Sequence, residues 1–335
     1  MFRAIVEFST DRANSRQIAG CCHDFSPHPA QTIESVSWVV FALLSALGNA
    51  STSLTFKRAI ADSDAFVSTA AFRVLSGLML VAFVTAVGAW HYPTLGYWRL
   101  VAAVLPFEVG GLVCMSLALR SGDLSQVAPI SGLLPVFVSV AGALFLHEMP
   151  TALSAVGIVL VAAGVYCVGL QRARSAFEPL LALGRLPSAR YAVASAILWS
   201  IATIVHKFGV AQVGPLMWAT SVALGSGLVI AAALPFTRRA VPTMSVSSRA
   251  VTSPSGVRLW RGLIIATAFS FAVQQAALQL ALQKAQAGYV IAISSTQTLL
   301  ATALALLLLG ERGGPARIVG ALLVTCGAAL VALGG

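Results

Sequence analysis

The sequence predicts an all-α integral membrane protein: ten transmembrane helices, arranged as two inverted five-helix repeats around a central cavity. Three observations predict it: too little charge for a water-facing surface, apolar runs of spanning length, and a unit of sequence that recurs. The chain has 335 residues, 58% of them hydrophobic and 10% charged, with a mean hydropathy of +0.88. A soluble domain carries about 25% charged residues, because its surface must face water. With that surface missing, lipid is the solvent for most of this chain.

Taken in order, residues 1–35 form a polar N-terminal tail, expected to be disordered. Ile18-Ala19-Gly20-Cys21 resembles a lipoprotein cleavage box, but the preceding residues include Arg3, Glu7, Asp11, Arg12 and Arg16. With no apolar core before it, lipidation is not expected. A helix needs about 20 residues, each rising about 1.5 Å, to cross a hydrocarbon core about 30 Å thick. Runs 36–56, 124–146, 149–170, 208–236, 262–283, 285–310 and 318–335 contain no Asp, Glu, Lys or Arg. Runs 65–90 and 100–119 each carry one charge, Arg73 and Glu108. Run 191–205 is shorter and extends through His206 and Lys207. These make ten spans. Continuous Leu-, Ala-, Val- and Gly-rich runs exclude barrel strands, which are segments of about ten residues with alternating polarity.

The repeat organises these spans. Glu148, Gly157 and Gly164 in the fourth and fifth spans recur as Glu311, Gly320 and Gly327, each 163 positions on. Lys57, near the end of the first span, recurs as Lys207 after 150 positions, and the added residues fall in the Arg- and Ser-rich connection 237–258. The chain is thus a first repeat over 36–170, a connecting loop over 171–190 and a second repeat over 191–335. Five spans per repeat is an odd number, so the second repeat enters the membrane from the opposite face. Inverted repeats of this kind underlie alternating access in many secondary transporters, with solute bound near the midplane.

The twin segments Phe145-Leu146-His147-Glu148 and Leu308-Leu309-Gly310-Glu311 each precede a Gly-bearing last helix. With Trp199 and Lys207 in the sixth span and Phe72-Arg73 in the second, the pattern resembles the EamA-type branch of the drug/metabolite transporter superfamily. It departs in the first span, where Asn49 stands in the place of Trp199. The resemblance covers residues 36–335. It implies ten helices, a cavity between the halves, and transport or export of amino acids or other small metabolites.

Glu108 is the leading candidate for chemistry. It lies near the middle of its span, where an ionised group costs several kcal/mol unless it faces a partner or a wet cavity. Its readings are a proton-coupling carboxylate, an anchor for a substrate ammonium, or a structural partner of Arg73. Arg73 lies about two turns inside its span. It either counters Glu108, binds a substrate carboxylate, or runs its stem to the interface; a snorkelling or structural role is the expected one. Asn49, Gln274 and Gln275 are cavity candidates, or else hydrogen-bond between helices. Trp199 stacks on ligand or fills volume. Lys57 and Lys207 are expected at the ends of their helices, with Lys207 kept as a candidate substrate contact. Glu148 and Glu311 fall at turns on opposite faces, so they are read as helix-end determinants.

No phosphate loop, metal-ligand cluster or nucleophile motif is present, so no cofactor, metal or enzymatic activity is expected. The net charge of +10 is placed between spans, where orientation signals belong, and does not call for nucleic acid. The five cysteines form no disulfide framework. The expected partners are a small-molecule substrate and the lipid bilayer of a bacterial inner membrane, with a homodimer as a further option. Apart from Arg73 and Lys207 inside spans, five Lys and Arg (Arg3, Arg12, Arg16, Arg99, Lys284) lie on one face and 14 on the other. The charge count puts the richer face in the cytoplasm and both termini outside, whereas the resemblance implies both inside; the charge count is adopted. The alternatives to a metabolite transporter are a flippase for lipid-linked or hydrophobic compounds and a non-transporting scaffold or receptor of the same fold.

Overall fold

The computed structural model describes residues 29–61, 63–90, 92–146, 151–170, 186–240, 254–285, 287–310 and 315–333. The tail before residue 29, Glu148, Glu311 and most of the 171–190 connection lie outside them. The regular elements among the described residues are all helices: α1 (Pro29–Ala59), α2 (Ala65–Ala86), α3 (Leu95–Ser121), α4 (Leu124–Ser131), α5 (Leu134–Leu146) and α6 (Ala152–Leu170). The second half contributes α7 (Pro187–Val213), α8 (Pro215–Ala240), α9 (Pro254–Lys284), α10 (Ala287–Ser294), α11 (Gln297–Leu308) and α12 (Pro315–Leu333). Among the described residues six helices, α1, α2, α3, α7, α8 and α9, are long and apolar enough to cross a membrane. The apolar helices α5, α6, α11 and α12 are shorter.

Two expectations about spans are corrected. The runs 124–146 and 285–310 are not single helices; each divides into a short and a longer piece. The divisions are equivalent, since Ser131 and Ser294, which close α4 and α10, stand 163 apart. In the first half Pro135 follows the break and has no N–H to give the Ser131 carbonyl, so the ladder cannot continue. In the second half the Ser295 hydroxyl donates to the Ile291 carbonyl at 2.8 Å. The backbone tightens to three-residue steps, with Thr296 N–H on Ile293 O at 3.1 Å and Thr298 N–H on Ser295 O at 2.9 Å. Such side-chain competition for a helix carbonyl bends the helix. The other correction is at Lys207, which does not end its helix. Helix α7 continues to Val213 and stops at Gly214, whose φ of 82° favours glycine, with Pro215 opening α8.

The halves meet through close helix crossings whose contacts exchange under the sequence shifts. A β-carbon added at Gly164 would lie 2.6 Å from the Gly320 carbonyl oxygen, and one added at Gly327 would lie 2.6 Å from that of Gly157. Helices α6 and α12 therefore cross backbone to backbone, which small residues permit and which drives association where lipid supplies no hydrophobic gradient. The same exchange holds 150 positions apart between α2 and α8: a β-carbon at Gly77 would meet Leu224, and one at Gly227 would meet Val74. Gly48 of α1 lies against Gln274 of α9, while Gly111 of α3 lies against Trp199 of α7. These crossings bring α1, α2, α3, α7 and α9 around one central space.

Candidate functional site

That space is a cavity of about 150 Å³, lined from both halves, chiefly by α1, α3, α7, α9 and the broken helices. Asn49, Trp199, Gln274 and Gln275 all line it, as do Arg73 and Glu108. Lys207 does not. It lines a separate groove with Gln212 and Gln283, because one step along a helix of about 3.6 residues per turn points it about 100° away from His206, which lines the cavity.

One wall carries a buried ionic cluster. Glu108 Oε2 accepts from Arg73 Nη2 at 3.1 Å, and Glu108 Oε1 faces His206 Nε2 at 2.9 Å. Arg73 does not snorkel, which corrects that half of the expectation above and leaves the structural role. It is fully buried, and its Nε donates to Ser226 Oγ on α8 at 2.9 Å. Its guanidinium carbon sits 4.3 Å over the Phe271 ring centroid. A carboxylate, a hydroxyl and an aromatic face within reach hold the guanidinium better than a long route to the interface.

His206 takes its orientation from Trp218, whose indole Nε1 donates to His206 Nδ1 at 2.8 Å. An indole nitrogen only donates, so Nδ1 presents a lone pair and the ring proton resides on Nε2. Nε2–H therefore donates to Glu108, and the carboxylate accepts from two donors at once. Trp218 is itself fully buried, with its ring against Gly209 of α7 and edge-on to Tyr97 at 5.8 Å. Tyr97 in turn bonds Ser221 of α8 through their hydroxyls.

The equivalent positions in the other half are apolar. His206 corresponds to Phe56 and Glu108 to Phe271, by the shifts of 150 and 163. Phe56 and Phe271 both pack on Phe72, at ring separations of 5.2 and 5.6 Å. Repeat-related positions thus carry an ionic pair in one copy and two aromatic rings in the other, although the backbones correspond. Sequence reasoning missed His206, Trp218 and Ser226. The available signal was an imidazole within an apolar run; the adjacent Lys207 made His206 resemble part of a helix end.

Helices α9 and α11 hold polar atoms without partners among the described residues: Gln275 Nε2, both polar side-chain atoms of Gln279, and the Thr298 hydroxyl. Gln275 and Thr298 line the cavity and Gln279 does not. A buried amide that makes no hydrogen bond costs about 1–3 kcal/mol. Gln279→Met is accordingly expected to raise stability by about that amount, measured by denaturant unfolding in detergent. Unchanged or lower stability would show that Gln279 has a partner in the folded protein.

At one end of the cavity the halves are fastened together. Arg317 of α12 pairs with Asp123 at 3.2 Å, and Arg58 of α1 donates to the Leu308 carbonyl of α11 at 2.7 Å. Lys57 caps α3 on the carbonyls of Leu119 and Gly122. The described basic side chains Lys57, Arg58 and Arg317 therefore gather on the face that the charge count marks as basic.

The family described as the EamA-like transporter family matches this chain twice, over residues 36–170 and 187–333. A Sinorhizobium sp protein named as an uncharacterized transporter in the cobO 3' region is 32% identical over 133 residues. That match spans 39% of this chain and 94% of the relative. A protein of known crystal structure superposes with a TM-score of 0.59 at 17% identity, over 92% of this chain and 98% of its own. That likeness shows the fold alone.

Proposed function

The chain belongs to the EamA-like transporter family and is a multi-pass membrane transporter; from that premise we propose that it is a secondary transporter exporting small organic metabolites, coupled to protons. The substrate class proposed is amino-acid-like. The observation that carries the reading is the cavity between the two repeats, lined by the Arg73–Glu108–His206 cluster and by amide and hydroxyl groups. Glu108, Arg73, Asn49, Gln274, Gln275 and Trp199 are the proposed binding and coupling residues. Lys207 is left out of the proposal by its position. The contact exchange described above supports an inverted pair of five-span repeats, in which each broken helix counts as one span. The proposed location is a bacterial inner membrane, with the basic face in the cytoplasm.

Purified protein in liposomes, screened against a labelled metabolite panel with and without a pH gradient, tests this. Accumulation of a small zwitterion that follows the gradient is expected. No uptake or exchange of any small solute, with the protein inserted and folded, would favour the scaffold.

Alternating access requires the fastened end to open. Asp123→Arg and Arg317→Asp are each expected to lower transport several-fold, and the double exchange to restore it, because the pair bridges the two repeats. Proteoliposome uptake per inserted molecule reads this out. A double exchange no better than the singles would remove the pair from the gate.

A further inference from the structure

Resting on the proton-coupled reading above, we infer that His206 is the group that takes the proton, at Nδ1, and that Trp218 is the switch displaced when it does so. The geometry leaves few other positions for a proton. Glu108 accepts from Arg73 and from His206, and a proton on its carboxyl would leave the fully buried guanidinium with no counter-charge. His206 Nε2 already carries a proton directed at Glu108. The remaining basic site is the Nδ1 lone pair, which holds the Trp218 indole N–H at 2.8 Å.

A proton from solvent, entering through the cavity, forms an Nδ1–H bond. In the same step the indole N–H···Nδ1 hydrogen bond breaks, because two donors cannot share that line. No other bond changes. The imidazolium keeps its Nε2–H on Glu108, and the cluster passes from neutral to a net charge of +1. It then repels the ammonium group of an amino-acid-like solute in the cavity, so proton and solute exclude each other, as proton-driven export requires.

The displaced indole cannot rotate freely. Trp218 is fully buried, and its ring lies where a β-carbon of Gly209 would come within 2.4 Å of it. Releasing the indole therefore moves α8 relative to α7, which adjoin at Gly214–Pro215. A single lone pair with two mutually exclusive partners gives a two-state element, as a proton-driven conformational cycle requires.

The charged and titratable groups around His206 are few. Glu108 faces it from α3, with Arg73 of α2 behind the carboxylate, and Tyr97 of α3 stands beyond Trp218. The pieces α4, α5 and α10 contain no Asp, Glu, Lys, Arg or His; α10 carries Tyr289, away from the cavity. Arg258, Arg261 and Lys284 lie near the ends of α9. Lys207, next in the chain, lines the separate groove.

The test uses the full chain in lipid nanodiscs, with ring-15N histidine and indole-15N tryptophan, followed by NMR from about pH 8 down to about pH 5. The Trp218 signal is assigned by its loss in Trp218→Phe and that of His206 by its loss in His206→Gln. At the alkaline end His206 is expected with a proton on Nε2 and none on Nδ1. On acidification the proton signature at Nδ1 and the displacement of the Trp218 indole resonance are expected to share one midpoint. His206→Gln keeps a donor and an acceptor but cannot become a cation, so the pH response of Trp218 is expected to be lost.

A proton on Nδ1 at the alkaline end would overturn the inference, as would an indole that stays still while His206 gains its proton. Should His206→Gln fail to fold, Gln substitutions at the other four histidines (His23, His28, His91 and His147) assign the His206 signal by elimination, and the wild-type spectra with the Trp218→Phe assignment still decide. The spectra need no substrate. A coupled transition without gradient-driven uptake in liposomes overturns the transport reading and leaves the switch standing; gradient-driven uptake with an unmoved indole does the reverse.

Discussion

Glu108→Gln is expected to cost about 3–5 kcal/mol of stability, the range for removing one partner of a buried ion pair. Arg73 is the reason. Its guanidinium is buried against Ser226 and Phe271, and Glu108 is its carboxylate partner. The amide of Gln can still accept a hydrogen bond but supplies no countercharge. Removing both charges in Arg73→Met/Glu108→Gln is expected to recover most of the loss, since no unpaired ion is left in the interior. Transport is expected to stay absent in the single and in the double variant, because neither retains a carboxylate at His206. Denaturant unfolding in detergent reads the first effect, and uptake per inserted molecule with and without a pH gradient reads the second. A single variant as stable as the wild type would mean that the pair does not hold α2 to α3. Gradient-driven uptake at the wild-type rate by the double variant would remove the cluster from the coupling mechanism.

Gly164→Leu is expected to lose at least about 3 kcal/mol, the top of the usual range for overpacking, and in expression to leave little folded protein. The β-carbon alone would stand 2.6 Å from the Gly320 carbonyl oxygen and 2.8 Å from the Val324 nitrogen. Both obstacles are backbone, so no side-chain rotation relieves them, and α6 must separate from α12. Gly327→Leu is expected to behave alike, because its β-carbon would stand 2.6 Å from the Gly157 carbonyl oxygen and 2.7 Å from the Val161 nitrogen. Gly262→Leu serves as the control, with nothing within 4 Å of its added carbon, and is expected to stay within about 0.5 kcal/mol of the wild type. The yield of monodisperse protein and its thermal midpoint distinguish these outcomes. A tolerated Gly164→Leu beside a damaging Gly327→Leu would show that the two repeats do not share one crossing.

The sequence by itself determined the solvent, the helical class and the existence of a twofold unit. These follow from composition and spacing, which act locally: an apolar run of about 20 residues has few alternatives to a helix in lipid. It also placed Glu108 and Arg73 inside spans and marked Asn49, Trp199, Gln274 and Gln275 as polar or aromatic groups that lipid would not explain. The division at Ser131 was partly visible, since Pro135 stands just beyond it; the matching division at Ser294 was not, because its cause is a hydroxyl turning onto the Ile291 carbonyl. The role of Arg73 could not be read from the chain. Snorkelling and pairing depend on what stands beside the guanidinium, and Glu108, Ser226 and Phe271 come from three other helices. His206 was hidden for the same reason: an imidazole beside a lysine resembles a helix end until α7 is seen to run on to Val213. The tertiary structure alone decided that Lys207 turns away while His206 meets Glu108 and Trp218. It alone brought Arg73, Glu108 and His206 together at positions whose repeat-related counterparts include Phe56 and Phe271, because a side chain's neighbours across a helix crossing depend on the register of two helices, which neither helix encodes by itself.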